Sequence, residues 1–149
     1  FWLERHMMFR HLMAQMQADT ERFLDEKLSP DQFGGAVSRN GGLFVNQLHG
    51  HHQIEDHHYF PLLRLREPRI EAGFDLLDAD HQALDGILNG FVQQANGALQ
   101  AARSSDAALR AGELHEGLLG LQRNIGRHLE DEEDLIVPVL LEFGSGGLG

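Results

Sequence analysis

The chain has 149 residues and sets 12 Lys and Arg against 23 Asp and Glu, a formal charge of −11. That balance argues against nucleic acid as a partner, because phosphate binding calls for a basic face. The absence of Cys excludes disulfides, thiolate catalysis, zinc-finger sites and iron–sulfur clusters, and no stretch approaches the ~18 uncharged apolar residues of a membrane span.

Residues 1–143 read as one domain, at a length and 42% hydrophobic content that allow a real core. Gly144–Gly149 (GSGGLG) reads as a flexible tail. No basic, apolar leader is visible, and the expectation is a soluble cytoplasmic protein. The unusual feature is histidine, with ten copies against one Lys and eleven Arg.

Four segments show helical periodicity. The first runs through Trp2, His6, Phe9, Met13, Met16, Thr20 and Phe23, with Met7 and Met8 read as further soft core lining. Ser29-Pro30 then offers an N-cap followed by Pro at the first helical position. The second segment gives Phe33, Val37, Gly41, Phe44, Leu48, His51, Glu55 and His58, and closes before Glu67-Pro68. The third gives Leu77, His81, Leu84, Leu88, Phe91 and Ala95, and ends at Ser104-Ser105-Asp106. The fourth gives Leu114, Leu118, Leu121, Ile125, His128, Glu132, Leu135 and Val139. Spacing of three and four keeps each set on one helix face. Strand signals are absent, so the expected fold is all-α, an antiparallel up-down four-helix bundle. Pro61 and Pro138 predict kinks or helix ends at equivalent points.

Six polar residues occupy these apolar seams: His6, His51, Glu55, His81, His128 and Glu132. An unpaired carboxylate placed there would cost several kcal/mol or turn neutral. A bound metal gives all six one explanation, since neutral imidazoles and carboxylates ligate iron, zinc or manganese well. His51/Glu55 and His128/Glu132 are each four residues apart, which stacks both donors on one face. The chain also repeats itself: His51, Glu55, Pro61 and Leu62 recur 77 residues later as His128, Glu132, Pro138 and Val139. Each half thus reads His…His-x-x-x-Glu, and two halves facing each other would enclose a dinuclear site.

On these motifs the chain resembles the hemerythrin-like HHE cation-binding family. The matching stretches are His51-His52-Gln53-Ile54-Glu55-Asp56 through Phe60-Pro61, Asp80-His81-Gln82-Ala83-Leu84, and His128-Leu129-Glu130-Asp131-Glu132-Glu133. The resemblance implies a bundle holding two iron ions in a non-haem site, bridged by carboxylates and an oxo or hydroxo group. It implies His6, His51, Glu55, His81, His128 and Glu132 as ligands, with Glu55 and Glu132 bridging. Oxygen-carrying members have one more histidine a turn before the position of His81, and here that position is Leu77. The site would therefore lack one imidazole, which counts against reversible oxygen carriage but not against iron handling or sensing.

Alternatives remain at three ligand positions: His11, two residues off the seam, in place of His6; Glu133 in place of Glu132; and His58 as the missing ligand. His49, His52, His57 and His115 fall off the seams and read as solvated or supporting groups. The function expected is binding or sensing of oxygen, nitric oxide, peroxide or iron. The rivals are a di-iron enzyme turning over peroxide or nitric oxide and a mononuclear, zinc-type interaction module.

Overall fold

The computed structural model describes residues 2–143; the tail read at Gly144–Gly149 lies outside the described residues. The elements are α1 (Trp2–Leu24), α2 (Pro30–Ile54), a π-helical turn (Glu55–Tyr59), α3 (Phe60–Arg66), a 3₁₀ turn (Pro68–Ile70), α4 (Glu71–Ala101) and α5 (Ala107–Phe143). Helix α1 packs on both α2 and α5, α4 packs on α5, and α2 closes the ring against α4. Short connections alternate the helix directions, so the expected antiparallel four-helix bundle is present. Among the described residues there is no strand and no helix long and apolar enough to cross a membrane.

Ser29 starts α2 as the sequence suggests. Its hydroxyl accepts from the Gln32 amide at 3.1 Å while the Gln32 side chain accepts from the Ser29 amide at 2.9 Å, a reciprocal capping box. The second segment does not run as one α-helix. At Glu55 the backbone widens, and the Phe60 amide donates to the Glu55 carbonyl five residues back. This extra residue lies just before Pro61, whose ring an α-helical turn would press against the carbonyl four residues earlier. The insertion rotates everything beyond Glu55, so Phe60 and Leu63 enter the core while His58 becomes exposed. The expectation that His58 stays on the seam is therefore wrong, because it assumed unbroken 3.6-residue turns.

Pro138 behaves differently and sits inside an uninterrupted α5. An interruption of the α-helix therefore occurs in the first half and not at Pro138. Two smaller corrections concern packing. Ile136 rather than Leu135 is buried after Glu132, and Met7 is exposed while Met13 and Met16 fill the core. At the α4–α5 contact the flexible end of the exposed Gln94 side chain lies over Gly117.

Two apolar clusters result. The larger holds Phe9, Met13, Met16, Phe33, Phe44, Leu48, Leu84, Phe91, Leu118 and Ile125, among others. The smaller holds Trp2, Phe60, Leu63, Phe74, Leu77, Ile136 and Val139 near one end of the bundle. In sequence, the six seam histidines and glutamates fall where these two sets meet on each helix, with Leu129 of the larger cluster between His128 and Glu132.

Candidate metal centre

Alternating helix direction brings the start of α1, the end of α2, the third turn of α4 and the last third of α5 to one level. All six predicted residues meet there, each buried: His6, His51, Glu55, His81, His128 and Glu132. In the first group His6 Nε2 faces His51 Nε2 at 3.2 Å and Glu132 Oε2 at 3.1 Å. His51 Nε2 lies 3.3 Å from Glu55 Oε2, which also accepts from the Trp2 indole at 3.1 Å. In the second group His81 Nε2 lies 3.1 Å from Glu132 Oε1 and 3.4 Å from Glu55 Oε1. His128 Nε2 lies 2.5 Å from the same Glu132 oxygen.

A seventh residue joins them. His52, read from the sequence as off the seam and solvated or supporting, is buried and stacks on His81 with ring centroids 3.9 Å apart. Donor atoms of His6, His51, Glu55 and Glu132 fall within 4.8 Å of one another, and so do those of His52, His81, His128 and Glu132. Glu132 belongs to both sets. The periodicity missed His52 because it sits one residue, about 100°, around α2 from His51. Since α2 lies between α1 and α4, His51 faces His6 of α1 while His52 faces His81 of α4. The available signals were the doubled histidine and the Leu77 departure.

The far sides of three imidazoles are held by carboxylates. His6 Nδ1 donates to Glu133 at 2.8 Å, His81 Nδ1 to Asp56 at 2.8 Å and His128 Nδ1 to Asp80 at 3.4 Å. Arg10 in turn grips both oxygens of Glu133, at 2.8 and 3.1 Å. Each bond holds a ring proton on Nδ1, so Nε2 is the nitrogen that faces inward and can serve as a donor once any second proton has left. Glu133, the alternative to Glu132, thus sits behind His6 rather than among the inward donors. His49, His57 and His11 are exposed, and His115 pairs with Glu21 at 3.0 Å on the α1–α5 seam.

Electrostatics show how strongly these groups act on one another. Burial alone would push His51 and His81 down, but the Glu132 and Glu55 carboxylates outweigh it and raise them to about 9 and about 10. Burial, reinforced by the neighbouring His81, pushes His52 down to about 2. Burial would raise Glu132, but contacts with His128, His51, His6 and His81 hold it well below the usual carboxylate range.

The layer contains polar atoms that the protein itself does not satisfy. Buried His52 Nε2 makes no hydrogen bond, and His128 Nε2, Glu55 Oε1 and Glu132 Oε2 have close contacts to Glu132, His81 and His6 that lack hydrogen-bond geometry. Two imidazole nitrogens facing each other at 3.2 Å, as in His6 and His51, can share at most one proton. Orphaned buried donors and acceptors are rare and call for an explanation. Imidazoles and carboxylates converging on common points fit a bound cation, which would use these atoms once the imidazole protons have left.

Fold and site together define a helical bundle with an internal cation-binding centre. The chain belongs to the hemerythrin HHE cation binding domain family, whose model matches residues 1–141. Comparison with curated proteins and with solved structures gives no match.

Proposed function

We propose that the chain binds two iron ions in this layer and uses them to sense or handle oxygen, nitric oxide or iron. The observation that carries the proposal is the pair of buried four-donor groups meeting at Glu132. In this reading His6, His51 and Glu55 would hold one ion and His81 and His128 the other, with Glu132 available to both. Glu55 places one oxygen toward His51 and the other toward His81, so it is the second bridging candidate. An iron pair bound there supplies redox chemistry and an affinity for small diatomic ligands.

The protein's own groups set the conditions for that chemistry. Glu55 and Glu132 offset cationic charge in a setting of low dielectric, where each carboxylate acts strongly. Glu133, Asp56 and Asp80 fix the imidazole tautomers, and Trp2 and Phe60 exclude water from the smaller-cluster side. The protons carried by His51 and His81 must leave when their lone pairs are used, so loading releases protons. Binding is favoured over turnover because the buried titratable groups of the layer are engaged as inward donors, leaving no separate acid, base and nucleophile.

The test is metal content per chain, with the absorption spectrum, on protein purified without chelator. Two irons and the near-ultraviolet and visible bands of a ferric pair are expected. One zinc ion, or no metal, would contradict the proposal.

A further inference from the structure

Helix α4 contributes one imidazole, His81, to the second group. His52 of α2 reaches the same group from the neighbouring helix. His52 is 5% exposed, and its Nε2 has no hydrogen-bond partner. Its ring lies against the other two imidazoles of the group, stacked on His81 at 3.9 Å and edge-on to His128 at 5.4 Å. A neutral imidazole buried with an unsatisfied nitrogen is unfavourable unless that nitrogen finds a partner. Packing alone does not account for it, since an apolar side chain would fill the same space without the orphaned atom.

We infer that His52 is a metal ligand, supplying from α2 the third imidazole of the second cation position. The inference rests on the dinuclear reading above and extends it. The two positions then differ in chemistry. The first has two imidazoles and two carboxylates (His6, His51, Glu55, Glu132), and the second has three imidazoles and one carboxylate (His52, His81, His128, Glu132). The nitrogen-rich position favours later divalent ions such as zinc, and the oxygen-rich one is the more tolerant of manganese or iron. Removing His52 should therefore empty one position selectively.

The experiment uses the full chain, stripped of metal and loaded with Zn(II) alone. Equilibrium dialysis counts bound zinc in wild type, His52→Leu and His52→Gln. Nitrogen NMR of ¹⁵N-histidine-labelled wild type counts the imidazoles that coordinate. The expected result is two zinc ions and five coordinated imidazoles in wild type. Both variants should then hold one tightly bound zinc, with the second bound about 100-fold more weakly, a loss at the upper end of that for supporting groups. Two zinc ions with four coordinated imidazoles, and variants that still hold two, would overturn the role of His52 while leaving the dinuclear reading intact. One zinc or none in wild type would overturn both. If neither variant folds, as judged by circular dichroism, the imidazole count in wild type decides alone: five supports the inference and four overturns it.

Discussion

The α1–α2 and α4–α5 halves carry the same His…His-x-x-x-Glu motif and solve the same problem differently. In the first half a π turn follows the motif, so the seam steps from Glu55 to Phe60 and Leu63. In the second, α5 continues unbroken and the seam steps from Glu132 to Ile136 and Val139. The first half also has a doubled histidine where the second has His128-Leu129. Neither half makes a complete donor group. His6, His51 and Glu55 borrow Glu132 from the second half, and His81, His128 and Glu132 borrow His52 from the first. A repeat in sequence has become an exchange of one donor in each direction, which ties the halves together at their most polar level.

The largest effect should come from breaking the shared donor. Glu132→Ala is expected to lose both cation equivalents in equilibrium dialysis, whereas Glu55→Ala should weaken binding by about 10- to 100-fold. Without metal, Glu132→Ala should also destabilise the fold by about 3–5 kcal/mol in urea unfolding, because it strips the charge partner from buried imidazoles. Equal losses in the two glutamate variants would show that the halves are interchangeable.

Next is pH. His51 and His81 are raised in the folded protein, so their contribution is fully present below about 6.5 and is lost as pH rises through about 9 to 10. His52 is lowered to about 2, so its contribution is present above about 6.5 and is lost as pH falls below it. Thermal melts of metal-free protein should therefore show greatest stability near pH 6.5. Between pH 6.5 and 9 the gap between metal-loaded and metal-free melts should widen, because protons compete less for the donors. A gap that narrows over that range would contradict the assignment of His51 and His81 as donors.

The prolines give a smaller contrast. Pro138→Ala should stabilise by about 1–3 kcal/mol, since it restores a hydrogen bond inside an α-helix. Pro61→Ala should change stability by less than about 1 kcal/mol, because the π turn already accommodates that ring. Urea unfolding of the two variants measures the difference. Glu133→Gln and Asp56→Asn should each weaken cation binding by about 10-fold in equilibrium dialysis, through looser His6 and His81 rings.

What could be read from the sequence follows from what its periodicity can express. Three- and four-residue spacing identifies the bundle and picks out His6 over His11 and Glu132 over Glu133 as inward-facing positions, because straight α-helices carry those residues. It fails where the helix is not straight or where two neighbours are used at once. His58 was misplaced because nothing in a seam count registers an inserted residue, although Pro61 lies just beyond the insertion. His52 was missed because a seam admits one face, while α2 at this level faces both α1 and α4. The carboxylates behind the rings, Asp56, Asp80 and Glu133, are half-buried polar residues that no apolar pattern could single out.

Anomalous diffraction at the iron edge, on crystals of protein purified without chelator, tests the dinuclear centre most directly. Two iron peaks about 3.5–4 Å apart, on either side of the Glu132 carboxylate, are the expected result. A single peak, or none within the layer of His6, His51, Glu55, His81, His128 and Glu132, would contradict it.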